Sequence, residues 1–382
     1  MSFSPSSALK CAYAVLLAAV LGCGKEIDDG SRDFELGKAA YEVRDLKKAE
    51  KHLARSVERA PDDVDRLILQ ARVRLDLGEL VAARESVDKA AAIAGGDSDV
   101  QLLDAQVAWH MKDYEKAAAG FASVAENARF DAETRSQGLA GLGIVEMTNG
   151  RSHLSRIAFL QAIRLDRRNA AAWYHLGFLY RDGFGYVDAA LEQFEIFVRL
   201  EASASPRVQK VQRTIIPALK EMIVRTATSR PGVSKRDSAA CSAAIIKAEA
   251  AWKKGSFKVA RQCYQDALVA DPLSYPAALG LAKAWQKTDA TKAGLGKAFE
   301  NYKIACTLRP SAISTFLATG VLAARLGYHA QAVEIYSRAV AASPASREAL
   351  DGLIRALSNV GNQTSIARAY QRYRDALASK RK

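Results

Sequence analysis

The sequence predicts an all-α protein built from tandem helix-turn-helix units. Three observations carry that expectation. Only 9 of the 382 residues are proline and alanine is abundant, a mix that favours helix over strand. Apolar residues make up 49% and charged residues 25%, which is a folding composition, not a disordered one. A spaced frame recurs along the chain: a small residue, a turn glycine, small–x–x–x–aromatic–x–x–small, then proline.

The N-terminus stands apart from that frame. Residues 1–10, "MSFSPSSALK", carry only Lys10 and the α-amino group as positive charge. Residues 11–22, "CAYAVLLAAVLG", are apolar or small throughout. The run is too short to span a bilayer as a helix, which takes ~20 residues, but it has the length of a signal-peptide hydrophobic region. "VLGC", residues 20–23, then sets an aliphatic residue, a second residue and a small residue before Cys23. This resembles the bacterial lipobox, although Leu21 is bulkier than the small residue often found there. The resemblance implies a signal peptide over 1–22, cleavage after Gly22, a lipid anchor on Cys23 and a membrane tether over 23–29. Gly24, not Asp, follows the cysteine, which implies the outer membrane, facing the periplasm. Two or three acyl chains hold a protein stably, since each buried CH₂ contributes ~0.8 kcal/mol. A plain cleaved secretory signal and an uncleaved apolar N-terminus are the alternatives.

The body is repetitive. Residues 37–63 present Gly37, Ala49, Leu53, Ser56 and Pro61. Residues 251–274 present Gly255, Phe257, Ala260, Tyr264, Ala267 and Pro272. Residues 320–346 present Gly320, Gly327, Ala332, Tyr336, Ala339 and Pro344. "AWYHLGFLY", residues 172–180, holds Trp173, Leu176, Gly177 and Tyr180 at W-x-x-L-G-x-x-Y spacing. These features resemble the tetratricopeptide repeat, whose period is 34 residues. The resemblance implies tandem repeats winding into a right-handed superhelical solenoid. Small residues such as Gly177 and Ala332 let paired helices approach. Aromatics (Phe121, Phe159, Tyr264, Tyr302, Tyr336) fill the space beside them. Gly78, Gly150, Gly255, Gly327 and Gly361 are expected in the turns, where a left-handed residue is cheap only for glycine. Pro61, Pro272, Pro310 and Pro344 stop second helices.

Nine repeats are expected: 30–63, 64–97, 98–131, 136–169, 170–203, 241–274, 275–312, 313–346 and 347–380. The fifth holds an extra residue in "RDGFGYVDAA" and the seventh about four in "QKTDATKAGLG". Residues 204–240 break the period with a basic helix, disturbed near Pro217, and a linker, "TSRPGVSKRDS". Two arrays are therefore expected, about five repeats over 30–203 and about four over 241–380. Charge divides at the same place. Residues 1–205 hold 26 Lys+Arg against 31 Asp+Glu, whereas residues 206–382 hold 29 against 11. The basic half suits an anionic partner or is a solvated cationic face.

Signs of catalysis are lacking. The five histidines (His52, His110, His153, His175, His329) form no H-E-x-x-H or His–Cys cluster, and no phosphate-binding or nucleophile-elbow motif occurs. The five cysteines show no C-x-x-C spacing. Cys241, Cys263 and Cys306 read as small buried hydrophobes. No enzyme, metal or cofactor is expected, the lipid on Cys23 apart.

What remains is surface for partners. In the tetratricopeptide frame, first helices line a concave face. The resemblance turns Phe34, Tyr41, Ile68, Leu75, Leu102, Trp109, Ile144, Met147, Tyr174 and Phe178 inward in the first array. In the second it offers Ile245, Trp252, Lys283, Leu317 and Arg355. Aromatics in a groove anchor peptides and protein segments, but the same residues could pack against neighbouring helices. The apolar stripe disfavours a carboxylate-clamp type of adaptor. The expected function is a tethered scaffold for envelope proteins, with pilotins and secretion-assembly factors one subclass. The alternative is a binder of an anionic envelope polymer: peptidoglycan, lipopolysaccharide or exopolysaccharide. Nucleic acid is disfavoured for an exported chain.

Overall fold

In the computed structural model, residues 29–203, 205–228, 236–361 and 363–379 are described. The expected signal segment and Cys23 lie outside them, as does most of the linker. All regular structure among the described residues is helical. The chain divides into two compact units, Met1–Asn149 and Gly150–Lys382.

The first unit holds α1 (Ser31–Glu42), α2 (Leu46–Arg59), α3 (Val64–Leu77), α4 (Leu80–Ala94), α5 (Ser98–His110), α6 (Tyr114–Glu126) and α7 (Ala132–Thr148). The second begins with α8 (Ser152–Leu165), α9 (Ala170–Phe178) and α10 (Val187–Leu200). A short α11 (Pro206–Lys210) and α12 (Ile216–Thr228) follow. Four hairpins complete it: α13 (Ser238–Lys253) with α14 (Phe257–Ala270), α15 (Tyr275–Thr288) with α16 (Lys292–Leu308), α17 (Ile313–Arg325) with α18 (His329–Ala342), and α19 (Arg347–Asn359) with α20 (Thr364–Ser379). Most helix pairs lie inside the expected repeat bounds, but α7 begins at Ala132, before residue 136, and α13 at Ser238, before residue 241. The unit boundary lies in the turn of the fourth repeat, so α7 and α8 belong to different units.

Short polar side chains start many of these helices. Asp45, Asp63, Asp97, Asp113 and Asp131 each accept a backbone N–H of the first turn in the first unit. Asn169, Asp237, Ser274, Thr291 and Ser346 do so in the second. Each such cap contributes typically ~1 kcal/mol. Pro61, Pro272, Pro310 and Pro344 stand two residues beyond the ends of α2, α14, α16 and α18, where the missing N–H prevents continuation.

Within a hairpin or between successive hairpins, a ring on a second helix rests on a bare backbone of a first helix. A Cβ at Gly280 would lie 2.3 Å from Tyr264, and one at Gly141 2.4 Å from Phe121. Tyr336 is held from two sides, 2.6 Å from a Cβ at Gly320 and 2.2 Å from one at Gly352. At Gly177 the partner is Phe194, at 2.9 Å. Any larger residue at these positions would force the helices apart.

The turns depart from expectation in one respect. Gly78, Gly150, Gly255 and Gly327 take φ between 69° and 81°, as expected, but Gly361 does not adopt a left-handed φ. Two turns lack glycine and force a longer residue into that region: Arg44 (φ 62°) and Lys112 (φ 66°).

The extra residue of the fifth repeat appears as a π-helical turn, Leu179–Gly183, in which the Phe184 N–H reaches back to the Leu179 carbonyl at 3.1 Å. A one-residue insertion is absorbed by widening one turn. A second π turn, Val211–Ile215, joins α11 to α12 directly before Pro217. Proline has no N–H for the preceding turn and clashes with it, so the widened turn lets the helix run on.

The second unit closes on itself through α8 and α20, which pack together. At their contact Arg156 is fully buried. Its Nε donates to the Tyr370 hydroxyl at 2.7 Å and Nη1 to the Ser337 carbonyl at 2.9 Å, while Nη2 also reaches the Tyr370 hydroxyl. The guanidinium stacks over Phe184 at 4.6 Å and Tyr370 at 5.2 Å. Burial and the Arg156 cation hold the His153 imidazole down at about 3, so no second positive charge stands beside it. Arg164 adds a bond from Nη1 to the Ala376 carbonyl at 2.8 Å.

Two stability measurements check this packing. Lys112→Gly relieves a left-handed lysine and should stabilise by roughly 0.5–1 kcal/mol in urea denaturation, the strain relieved exceeding the entropy added to the unfolded chain. Tyr370→Phe removes the hydroxyl that solvates a buried cation and should cost about 2–3 kcal/mol. Adding Arg156→Met should recover part of that loss, because the unpaired cation goes with it. Strict additivity of the two changes would contradict the arrangement.

Candidate functional site

The expected first-helix residues separate into three groups. Ile68 and Leu102 are core residues, 7% and 5% exposed, and join separate clusters. They are therefore not groove residues. The physical reason is that first helices of successive repeats touch one another, α3 with α5 and α5 with α7, so an inward position can be covered by the next helix.

Phe34, Tyr41, Leu75, Trp109, Ile144 and Met147 are half-buried. Phe34 and Tyr41 lean on the core of α1 and α2, and Trp109 on that of α5 and α6. The Tyr41 hydroxyl donates to Asp76 at 3.0 Å, which also takes Arg44 at 2.7 Å. The Trp109 indole donates to Thr148 at 3.4 Å. These side chains present edges, not whole faces.

Tyr174 and Phe178 belong to an aromatic cluster. Tyr174 lies 4.9 Å from Phe178 and 4.9 Å from Phe197, and Phe178 5.0 Å from Phe194. Phe194 and Phe197 are fully buried. Arg181 covers Phe178 at 4.6 Å. His175 stacks on Phe159, and burial followed by the Arg207 cation lowers its imidazole to about 4, so it is neutral at ordinary pH.

Trp252 is different, because it lines an open cleft. The cleft holds about 400 Å³ and is lined by Trp252, Lys253, Tyr264, Tyr275, Lys283 and Arg309, among others. Three local features shape it. Tyr264 is drawn down onto Gly280, which clears the floor. Ser274 caps α15, with Pro276 in its first turn, and this sets Tyr275 at the rim. The Tyr275 hydroxyl is tied to Thr315 Oγ1 at 2.8 Å, and Arg309 lies over the Tyr275 ring at 4.4 Å. Lys253, Lys283 and Arg309 are exposed, and Glu249 is the acid of the lining. Aromatic walls under a cationic rim suit a carboxylate-bearing segment with an apolar side chain.

A second basic and aromatic feature lies nearby in the same unit. The Trp285 ring carries Arg261 at 4.0 Å and Lys297 at 4.5 Å. No cluster of three or more His, Cys, Asp or Glu able to hold a metal occurs among the described residues. Cys241, Cys263 and Cys306 are free, and burial pushes the Cys306 thiol up to about 11.

Sequence reasoning named Trp252 and Lys283 for this face but missed Lys253, Tyr275 and Arg309. Pro272 and Pro310 marked the helix stops beside these residues, but no local spacing set Tyr275 or Arg309 against Trp252. The Arg156–Tyr370 contact was missed altogether.

Residues 34–99 match the tetratricopeptide repeat family model, and residues 236–380 match that of the bacterial transcriptional activator domain. No curated protein matches the chain. Among solved structures, PilF of Pseudomonas aeruginosa is 18% identical over 53% of this chain and 94% of its own, with a TM-score of 0.40. TTC0263, a thermophilic tetratricopeptide protein in Thermus thermophilus, is 18% identical over 50% and 99%, with a TM-score of 0.44. The APC/C hetero-tetramer Cut9–Hcn1 is 12% identical over 95% and 81%, with a TM-score of 0.38. Residues 34–99 thus match the tetratricopeptide repeat, and the helix hairpins with small-to-aromatic packing that recur along the described residues have the same all-helical repeat fold.

Proposed function

We propose that this protein is a non-catalytic scaffold, tethered to the bacterial envelope through lipid on Cys23, that holds acidic segments of other envelope proteins. The observation that carries the reading is the cleft of α13–α15. Its cations do not pair with a carboxylate among the described residues, so they are available to an incoming one. The tether rests on the "VLGC" stretch, and the outer-membrane, periplasm-facing placement on Gly24. A secretion-assembly or pilotin-like role is one form this scaffold could take.

A second reading is supported by Trp285 and its two flanking cations. Stacked aromatic and cationic groups also suit an anionic envelope polymer, whose sugar rings and charges they would meet together. Binding of that kind weakens steeply with salt.

One experiment separates these readings. Cells expressing the wild type or Cys23→Ser are labelled with palmitate, and a photocrosslinker is placed at position 252. The scaffold reading expects label in the wild type alone, and crosslinks to envelope proteins that disappear in Lys253→Glu/Lys283→Glu/Arg309→Glu. Equal labelling would remove the tether. Crosslinks to polysaccharide that vanish at high salt, with no protein captured, would replace the first reading by the second.

A further inference from the structure

The cleft of α13–α15 has a direction, and its charges are unevenly placed along it. Tyr275 and Pro276 stand at the start of α15, Leu279 and Gly280 a turn on, and Lys283 a turn further. Arg309 lies over the Tyr275 ring at 4.4 Å and so marks the first end. The Tyr275 hydroxyl is tied to Thr315 Oγ1 at 2.8 Å, and Thr315 is buried in α17. The platform under Arg309 is therefore fixed before anything binds. Lys283 marks the second end, with Lys253 beside it on α13. From Tyr275 to Lys283 the helix rises about 12 Å.

Glu249 stands one repeat before Lys283, at the equivalent position of the neighbouring first helix. Glu249, Lys253, Lys283 and Arg309 are all exposed and carry no ion pair among the described residues. Lys253 and Lys283 against Glu249 leave one net positive charge at the second end, and Arg309 gives one at the first. Between them lie Leu279 and the Tyr264 ring on Gly280, with no charge.

Size decides the form of the occupant. The space is about 400 Å³. A helix is ~10 Å across, and a 12 Å length of it would fill about 900 Å³. An extended strand fits instead. It advances ~3.3 Å per residue, so the two ends lie about four residues apart along it. Alternate side chains of a strand share one side, so i, i+2 and i+4 all face the cleft. Carboxylates at i and i+4 meet Arg309 and Lys283, while i+2 falls on Leu279 and Tyr264. A chain end supplies only one carboxylate of its own, so both must come from side chains.

We infer that the cleft reads an extended internal segment with two carboxylates four residues apart and an apolar residue midway. The inference rests on the scaffold reading above and gives its partner a sequence pattern. Glu249 is the residue that turns away uniformly acidic chains, because like charges repel at the end it shares with Lys283.

Fluorescence anisotropy on the full-length chain tests this with labelled peptides blocked at both termini. One carries aspartates four residues apart around a central leucine. Its control has the same composition with the aspartates adjacent, and polyaspartate of equal length is the third probe. The spaced peptide should bind roughly tenfold more tightly than the control. Arg309→Gln should bring those two peptides level. Glu249→Gln should strengthen polyaspartate binding roughly threefold and change the spaced peptide less. Equal binding of the spaced and adjacent peptides to the unaltered chain overturns the inference and leaves the scaffold reading standing. That comparison needs no variant, so it does not depend on how a variant folds. Polyaspartate binding the unaltered chain as tightly as the spaced peptide also overturns it. Failure of all three probes to bind removes the acidic-segment reading of this cleft, and the inference with it.

Discussion

A buried cation without a carboxylate sets the architecture of the second unit. Arg156 has left water entirely, and a bare guanidinium in that setting would be costly. The protein replaces its hydration with the Tyr370 hydroxyl, the Ser337 carbonyl and the faces of Phe184 and Tyr370. These groups come from α20, α18 and the residue after the π turn. They converge only when α20 is docked on α8. The arrangement also explains why an inserted residue is accommodated at 179–183, since the widened turn delivers Phe184 to the guanidinium. The neutral state of His153 belongs to the same constraint.

Around that closure runs a plainer rule, repeated hairpin by hairpin. A ring on one helix needs a partner backbone without a side chain, and glycine supplies it at 141, 177, 280, 320 and 352. The cleft is a by-product of that rule. Because Tyr264 sinks onto Gly280, the space between α13 and α15 is left to Trp252, Tyr275 and three cations. Function in such a fold lies in what the hairpins leave uncovered.

The hairpins were legible because their signals are local. Stops such as Pro272 and the Trp173–Tyr180 spacing each act within one or two turns. The inserted residue of the fifth repeat was legible as an insertion, but not as a π turn. Exposure of the inward stripe was not legible. Whether Ile68 or Leu102 is open depends on the next first helix, not on its own repeat. Arg44 and Lys112 in left-handed turns were hidden because tertiary packing overrides their preference. The Arg156–Tyr370 contact was beyond any periodic reading, joining residues 214 positions apart.

Hydrogen–deuterium exchange on Arg156→Ala tests the closure most directly. If the guanidinium docks the C-terminal helix, exchange should rise together in α8 and α20, while α1–α6 keep the protection of the wild type. A rise confined to the turn around residue 156, with α20 as protected as before, would contradict it.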